Sequence, residues 1–436
     1  MKPALTAALI AAATGLLTPT SATGPLDIAE YDVTIDYRPD DGVLRGSAVI
    51  TATAPSALDE VALHLDGPVV SAVTLDDTPV KSFAQNGGDL AITPSERIRP
   101  GARFRVRVDY EGKPGPGWLP TDSGGATAFQ GASSTWFPVG DARDRADFRL
   151  TGTAPAGWHV VAVGREQQAP GPTTMRWAAL DIAPDNIAVS VDRFTVDRST
   201  LPNGIPVVNA YAPGLREKTA PLADRLPEIL DFLTTRYGTY PFEAAGNVFV
   251  HVNNDGPGTS PQTRPVYLGA RSDYMDLLQV VHEQAHQWYG VSVGARLPED
   301  ACLSECFASH STWMWEEAKD RVDLDERYRS IVTAKKADAA FWREPLYQAG
   351  KQPGFQMYDR GPLALHALHR KIGTEAFGRL LTRWAQENRH STASWPRFEH
   401  LAQQVGGQDL TGFLAAWFHG TAVPPDDFLW PGGLKP

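Results

Sequence analysis

The sequence predicts more than one domain, with an N-terminal antiparallel β-domain followed by a mainly α-helical domain that contains a small sheet. The first observation is the length, because 436 residues exceed the roughly 250–300 residues at which a single hydrophobic core stops growing. The second is a change of periodicity near residue 200, from short alternating segments to longer helical runs. The third is a composition of 42% hydrophobic and 21% charged residues, which is typical of a folded chain.

The first 22 residues have the pattern of an export signal. Met1-Lys2-Pro3 precedes a mostly apolar run over 4–17, and a small residue follows at Ala22. The run is shorter than the roughly 20 apolar residues that cross a bilayer, and no later segment is long and apolar enough to cross one. We therefore expect residues 1–22 to be a signal peptide and the mature chain to act outside the cytoplasm without a transmembrane span. A buried N-terminal segment is the alternative.

Residues 23–200 are predicted to form an antiparallel sheet or sandwich. Between residues 103 and 110, apolar and charged side chains alternate, which is the period of a strand with one face in water. Similar alternation recurs at 31–37, 46–54 and 60–65, and Asp-Gly, Gly-Pro and Asn-Gly turns separate these segments.

Residues 201–436 are predicted to be mostly helical. The change follows Leu201-Pro202-Asn203-Gly204, and strand-like pieces occur only at 247–252 and 265–268. The predicted helices span 219–236, 273–289, 303–319, 324–341, 361–372 and 374–388.

The chain carries a net charge of −11, with 40 Lys and Arg against 51 Asp and Glu, and no basic run interrupts this balance. A surface that binds phosphates requires clustered positive charge. We therefore expect no nucleic acid partner.

Two histidines lie four residues apart in the predicted helix 273–289, which Ser272 or Asp273 could cap and Gly290 could end. Residues four apart occupy one helix face, about 6 Å apart along the axis, so His282 and His286 can reach one metal ion.

A third ligand and a base accompany the histidines. Glu305 follows His286 after 18 residues, and two His with one Glu form the ligand set of a catalytic zinc site. Glu283 could take a proton from water at that metal, and the phenol of Tyr358 could stabilise the charge that develops on the substrate. The alternative is a surface helix with two solvated histidines, and Tyr358 could equally be a packing residue.

Three motifs resemble the gluzincin aminopeptidases, the family of alanyl aminopeptidase and leukotriene hydrolase, and residues 374–417 resemble the tail of its short secreted bacterial members. They are His282-Glu283-Gln284-Ala285-His286-Gln287-Trp288, Leu303-Ser304-Glu305-Cys306-Phe307-Ala308 and Tyr358-Asp359-Arg360-Gly361. Thr135-Trp136-Phe137-Pro138 resembles part of that family's β-saddle domain.

The resemblance implies a β-saddle or sandwich domain over 23–200 and a thermolysin-like zinc metallopeptidase domain over 201–436. It also implies one zinc ion at His282, His286 and Glu305, Glu283 as the general base, and Tyr358 as the residue that stabilises the intermediate. The implied substrate is a peptide or protein.

The chain departs from the family where a free substrate amine is bound. Family members use a carboxylate from a Gly-x-Met-Glu-Asn loop before the zinc helix, and often another from the β-domain. Here no glutamate occurs between Glu243 and Glu283, Ser260 falls about where the loop glutamate would be, and residues 126–138 contain no acidic residue. An ammonium without a counter-charge loses binding energy, so we expect atypical recognition of the N-terminus. Asp255 could substitute.

The only two cysteines, Cys302 and Cys306, flank Glu305. An even pair in an exported protein favours a disulfide. Residues four apart on a regular helix are poorly placed for one, so the bridge is expected to require Cys302 just before the helix. Two buried free thiols, or Cys306 as a zinc ligand, are the alternatives.

The sequence thus predicts an exported zinc metallopeptidase, with aminopeptidase activity implied by the resemblance. The alternatives are a peptidase that acts on N-blocked or internal bonds, and a catalytically weak, zinc-bearing peptide-binding module. His366 and His369 are expected to be structural, and Asp359 and Arg360 to form surface or capping pairs. Substrate-binding residues and oligomeric state stay open.

Overall fold

The structure is a computed structural model that describes residues 26–435, except 129, 130, 132, 253–255, 257 and 272–274. The predicted signal peptide, Asp255, Ser272 and Asp273 lie outside the described residues. Within the described part of the chain, no helix has the length and apolarity of a membrane span.

The chain divides into two compact units. The first contains the described residues up to Asp224 together with Phe242–Met275, and the second contains Arg225–Pro241 and the residues from Asp276 onward. Residues 201–224 and 242–275 thus group with the β-rich part of the chain. The domain boundary at residue 200 stays a prediction.

The first unit is built from β-sheets, which confirms the predicted β-domain. Strand β8 shows the alternation most clearly: Phe104, Val106, Val108 and Tyr110 are buried, and the arginines between them are exposed. The strands of this unit are β1 (Asp27–Arg38), β2 (Val43–Thr53), β3 (Val61–His64), β4 (Val69–Leu75), β5 (Thr78–Pro79), β6 (Ser82–Asn86), β7 (Asp89–Thr93), β8 (Arg103–Gly112), β9 (Trp118–Pro120), β10 (Ala126–Ala128), β11 (Ala146–Thr153), β12 (His159–Ala162), β13 (Arg165–Gln167), β14 (Thr174–Ile182), β15 (Val189–Asp192), β16 (Thr195–Thr200), β17 (Pro206–Tyr211), β18 (Ala245–Phe249) and β19 (Val266–Tyr267).

These strands form four sheets. The largest has eight strands in the order β13-β14-β11-β1-β2-β8-β4-β5, and a three-stranded sheet has the order β3-β7-β6. Two four-stranded sheets have the orders β12-β15-β10-β9 and β16-β17-β18-β19.

The largest sheet differs from the prediction in one pairing, because β1 and β11 run parallel, with Tyr31 opposite Phe148. Its other strand pairs are antiparallel. Antiparallel neighbours can be joined by a tight turn. Residues 39–145 separate β1 from β11, so no local turn chemistry reveals their direction in the sequence.

Aromatic rings fill the core beside this parallel pair. Trp136 and Phe137 are fully buried, with ring centroids 4.5 Å apart, and Phe137 also contacts Tyr31 and Phe148. Each such ring buries about 150–250 Å². The Trp-Phe-Pro motif is therefore part of the hydrophobic core of the β-rich unit.

The second unit is mainly helical, as predicted, and its described part includes one small parallel sheet. Its core contains fully buried indoles, among them Trp288, Trp384, Trp395 and Trp417. Helix α1 (Arg216–Ala223) precedes this unit and lies in the first one. The elements of the second unit are α2 (Leu226–Tyr237), α3 (Leu277–Ala285), β20 (Val293–Ala295), α4 (Cys302–Asp320), α5 (Leu324–Lys335), α6 (Ala339–Trp342), α7 (Gln356–Ile372), α8 (Thr374–Glu387), β21 (Ser391–Ala393), α9 (Trp395–Gly406), α10 (Thr411–Leu414), a π-helical turn (Ala415–His419) and α11 (Asp426–Leu429).

Two predicted helices are each divided in the structure. The segment 219–236 breaks between α1 and α2, where Pro227 lies in the first turn of α2 and cannot donate a backbone hydrogen bond to a preceding turn. The segment 324–341 breaks at Asp338, whose carboxylate accepts from the backbone N–H of Phe341 at the start of α6. Both breaks follow standard helix-start chemistry, which the periodicity alone did not reveal.

Candidate metal centre

The centre is built on α3, which is shorter than the predicted helix 273–289. Its N-cap is Asp276, whose carboxylate accepts from the backbone N–H of Gln279 at 3.0 Å. The prediction of Ser272 or Asp273 as the cap is therefore wrong, because a capping side chain must precede the first helical residue by one position. The helix ends at Ala285, and His286 begins the turn that leads to Gly290.

This turn fixes the orientation of His286. Its Nδ1 lies 3.0 Å from the carbonyl oxygen of Tyr289 and 2.9 Å from Oγ of Ser304. Because a carbonyl oxygen only accepts, Nδ1 donates to it, and Nε2 is the nitrogen left to bind a metal. Gly290 leaves room for this contact: its φ is +123°, and a Cβ there would collide with Ser304 Oγ. Ser304 in turn donates to Tyr289 at 3.1 Å.

Three ligand atoms converge between α3 and α4. Nε2 of His282 lies 3.2 Å from Nε2 of His286, and Oε2 of Glu305 lies 3.5 Å from each of these nitrogens. Among the described residues they form the group of His, Cys, Asp and Glu side chains arranged to hold a metal ion. The structure therefore brings the three predicted ligands together.

The spacing of these atoms fits zinc. Zinc bonds of about 2.0–2.1 Å at tetrahedral angles place neighbouring ligand atoms roughly 3.3–3.4 Å apart. The observed separations of 3.2 and 3.5 Å agree with this. Two imidazoles and one carboxylate also leave a fourth position for a substrate or water. The donor set is thus that of a single catalytic zinc ion.

The metal-free ligands form a charged pair. Burial opposes a charge on either partner, but the carboxylates of Glu305 and Glu283 and the hydrogen bonds of the imidazole raise the pKa of His286 to about 9. Burial would raise the pKa of Glu305, yet the imidazoles of His286 and His282 lower it well below its usual value. A metal ion that binds here therefore displaces a proton from His286.

Glu283 follows His282 on α3 and is 4% exposed. Nε2 of Gln279, one turn earlier on the helix, donates to Oε1 of Glu283 at 3.3 Å. This hydrogen bond holds the carboxylate on the helix face that carries the metal ligands.

Tyr358 lies in the first turn of α7 and reaches the same centre. Its ring centroid is 6.2 Å from that of His282, so the side chain lies beside the ligands. Burial and the negative charges of Glu305 and Glu283 raise the pKa of Tyr358 far above its usual value. The phenol therefore remains a hydrogen-bond donor at any physiological pH.

Cys302 and Cys306 form a disulfide, so the alternatives of free thiols and of Cys306 as a zinc ligand are excluded. The expected position of Cys302 is wrong by one residue, because Cys302 is the first residue of α4 and does not precede the helix. The two Cα atoms are 4.8 Å apart, whereas four residues of a regular α-helix span about 6 Å. The first turn of α4 is therefore tighter than a regular helix.

The two other histidines of the predicted helix 361–372 make structural contacts of their own, as expected. His366 is fully buried and contacts Asp325 at 2.8 Å through Nε2, and His369 contacts Thr374 at 3.0 Å.

The expectation of a surface or capping pair for Arg360 is wrong. Its side chain is fully buried and donates to the backbone carbonyls of Trp342, Glu344 and Trp417. Three convergent carbonyl oxygens replace the water that a buried guanidinium loses.

The loop that would carry the amine-binding glutamate lies in the first unit. Ser260, at about that position, is buried, and Asp255 lies outside the described residues. Nearby, Thr263 has a positive φ of 69°, and its Oγ1 accepts from the backbone N–H of Gly164 at 2.8 Å.

Sequence reasoning missed three residues that shape the centre, namely Gln279, Ser304 and Gly361. Gln279 lies four residues before Glu283, a spacing that puts both on one helix face, so this contact could have been found. Ser304 and Gly361 act through contacts between separate segments, which no spacing in the sequence reveals.

Comparisons with known proteins agree with this geometry. Residues 269–417 match the model of the peptidase family M1 domain, and this range contains the three ligands, Glu283 and Tyr358. Aminopeptidase N of Lactococcus lactis subsp. lactis is 24% identical over 179 residues, which is 37% of this chain and 21% of that protein. Probable aminopeptidase 1 of Sulfurisphaera tokodaii is 23% identical over 160 residues, 33% of this chain and 20% of its own length. The match thus spans about a fifth of these curated relatives.

Solved structures share the fold over almost the whole chain. The M1 zinc metallopeptidase from Deinococcus radiodurans has a TM-score of 0.81 at 24% identity, covering 94% of this chain and 97% of that one. A mutant of it bound to a Tyr-Ser-Ala substrate has a TM-score of 0.78 at 24% identity, with 92% and 96% covered.

The fold is that of these M1 zinc metallopeptidase structures, and the ligand set is that of a catalytic zinc site. The match of residues 269–417 to the peptidase family M1 domain and the similarity to these aminopeptidases support a member of the gluzincin aminopeptidase family, as the three sequence motifs indicated.

Proposed function

We propose that this chain hydrolyses peptide bonds as an aminopeptidase. The observation that carries the proposal is the convergence, within one compact unit, of His282, His286, Glu305, Glu283 and Tyr358. Both curated relatives are named aminopeptidases, and the Deinococcus radiodurans mutant holds a tripeptide substrate.

His282, His286 and Glu305 would hold the zinc ion through Nε2, Nε2 and Oε2. When bound, zinc acts as a Lewis acid that polarises a peptide carbonyl and makes water more acidic. The hydrogen bond from Nδ1 of His286 to Tyr289 keeps the ring from rotating away from the ligand position.

Glu283 is the proposed general base. Its carboxylate accepts a proton from the attacking water and then delivers it to the amine that leaves. The bond from Gln279 orients this carboxylate before substrate arrives, so less reorganisation is needed during the reaction.

Tyr358 is the proposed donor to the oxygen that becomes negative in the tetrahedral intermediate. Its ring lies beside that of His282, and the phenol stays protonated because its pKa is raised. A donor aimed at developing charge typically contributes 10²–10³-fold to kcat.

A second candidate is a peptidase for N-blocked or internal bonds. The observation that favours it is the absence of any glutamate between Glu243 and Glu283 and of acidic residues in 126–138. A binding module without turnover is less well supported, because such a module has no use for a base and an oxyanion donor at the metal.

We also propose that the protein is exported. Support comes from the basic and then apolar start of the sequence and from the Cys302–Cys306 disulfide, which persists in oxidising compartments. Cell fractionation with N-terminal sequencing tests this: a mature chain starting near Thr23 outside the cytoplasm is expected, and an intact cytoplasmic chain would refute it.

Digestion of a mixed peptide library, read by mass spectrometry, tests the function. Zinc-loaded protein is compared with Glu283→Gln, which keeps the size of the side chain but removes the base. Stepwise loss of N-terminal residues by the wild type alone is expected. Internal cuts would support the second candidate. An uncleaved library would refute both peptidase candidates and favour the binding module.

Matched peptides with free and acetylated N-termini separate the first two candidates. An aminopeptidase cleaves only the free form, whereas a peptidase for blocked or internal bonds cleaves both or prefers the acetylated one.

A further inference from the structure

The disulfide encloses a metal ligand in its own short loop. Cys302 and Cys306 are the first and fifth residues of α4, and Glu305 lies between them. Helix ends are the parts of a helix that open most readily, because their backbone groups lack partners within the helix. Glu305 thus lies in a helical turn that opens more readily than the middle of the helix.

The bridge coincides with a tightened turn. The carbonyl oxygen of Ala301 accepts from the N–H groups of both Ser304 and Glu305 at 3.0 Å, a shared hydrogen bond of the kind common at helix ends. The Cα separation of 4.8 Å across the bridge is about 1 Å less than in a regular helix. Without the bridge, nothing covalent keeps the turn in this form.

The same bridge contacts the helix that carries Tyr358. Both cysteines are fully buried, and a Cβ placed on Gly361 of α7 would lie 2.6 Å from Cβ and Sγ of Cys306. Gly361 is three residues after Tyr358, so this close approach of α4 to α7 lies within one helical turn of Tyr358.

We propose that the Cys302–Cys306 disulfide is a positioning element of the metal centre. It holds the first turn of α4 in the tightened form, so that Glu305 reaches both imidazoles and α7 packs against Cys306. Retention of zinc therefore depends on the oxidation state of this bridge. The inference rests on the proposed function only where turnover is measured.

Zinc release during reduction tests the proposal in the folded protein. A water-soluble phosphine is added to the zinc-loaded chain together with a chromophoric zinc chelator and a thiol reagent. The phosphine takes an oxygen from water and becomes its oxide, while the S–S bond breaks and each sulfur gains a hydrogen. Zinc release is expected to follow the appearance of the two thiols. The dissociation constant for zinc is expected to rise about 10–100-fold, the effect of losing a ligand-orienting contact.

Two results would overturn the proposal: zinc that stays bound after both thiols have appeared, or two titratable thiols before any reduction. Because zinc release needs no turnover, a protein that releases zinc as expected but cleaves no peptide would refute the proposed function and leave this proposal standing.

A pair of variants separates the crosslink from packing. Cys302→Ala with Cys306→Ala removes the bridge, and Met314→Ala removes buried volume from the same helix without touching the bridge. The double variant is expected to bind zinc as weakly as the reduced protein and to lower kcat more than it changes KM. Met314→Ala is expected to lower the melting temperature with unchanged zinc affinity. Equal zinc affinities of the double variant and the wild type would contradict the proposal.

Discussion

Replacement of Gly361 by Ala tests whether α4 and α7 meet as closely as the structure shows. The new Cβ would lie 2.6 Å from Cβ and Sγ of Cys306 and 2.9 Å from its Cα. Carbon atoms in contact are normally about 3.5–4.0 Å apart, so the two helices must separate locally by about 1 Å. Cys306 cannot rotate aside, because the disulfide fixes its side chain.

The expected magnitude comes from two opposing effects. Ala is favoured over Gly inside a helix by about 0.8–1 kcal/mol, whereas overpacking a core contact costs about 1–3 kcal/mol. Gly378 of α8 is the matched control, because it is exposed and a Cβ there has no neighbour within 4 Å. Gly378→Ala should thus gain nearly 1 kcal/mol, and Gly361→Ala should be about 1–3 kcal/mol less stable than that control.

Urea unfolding of both variants measures this difference in stability. The zinc dissociation constant of Gly361→Ala should also increase, because Cys306 is next to Glu305 in α4. Pro362 adds a cost, because a residue with a Cβ before proline disfavours the helical region. Repeating the comparison with Pro362→Ala in every protein removes that contribution. If Gly361→Ala then matches Gly378→Ala in stability, the close approach of the helices is wrong.

Three further predictions concern single side chains. Tyr358→Phe should lower kcat by about 10²–10³-fold with zinc still bound, as measured by initial rates beside the zinc content; an unchanged kcat would remove Tyr358 from the chemistry. Zinc binding at pH 7 should release about one proton, because the pKa of His286 is raised to about 9 in the metal-free centre. The affinity for zinc should therefore fall as the pH falls. Calorimetry in two buffers measures the released proton, and no release would contradict the pairing of His286 with Glu305. His310→Leu should stabilise the protein most at acidic pH, because burial lowers the pKa of His310 and neither ring nitrogen has a partner among the described residues. The imidazole of the unfolded wild type gains a proton below about pH 6.5, so the wild type loses stability on acidification. If the urea midpoints of the wild type and of His310→Leu shift equally between pH 8 and pH 5, this prediction is wrong.

The parts of the fold that local patterns encode were predictable. Alternation identified β8, and helical periodicity identified α4, α7 and α8 to within five residues. The parallel pairing of β1 with β11 was not predictable, because it depends on contacts between residues more than 100 positions apart. Helix α9 was missed, although Ser394 and Pro396 at its start are a typical helix beginning.

The ligands were predictable because their spacing encodes their chemistry. His282 and His286 need only one turn of helix to meet, and Glu305 completes a known ligand set. The contacts that hold them in place were less accessible. Ser304 reaches His286 only because the turn at Gly290 brings the start of α4 alongside it. The disulfide within α4 was also hard to predict, because it requires the Cα atoms of Cys302 and Cys306 to lie 4.8 Å apart. Helix propensities do not indicate such a shortened turn.

Zinc titration of the metal-free protein, with peptide hydrolysis followed at each addition, tests the assignment of the zinc centre. Activity is expected to rise linearly to one zinc per chain and then stay level, and His286→Ala and Glu305→Ala are expected neither to bind this equivalent tightly nor to gain activity. Hydrolysis by the metal-free chain, or full activity of either variant with one zinc bound, would contradict the assignment of the centre.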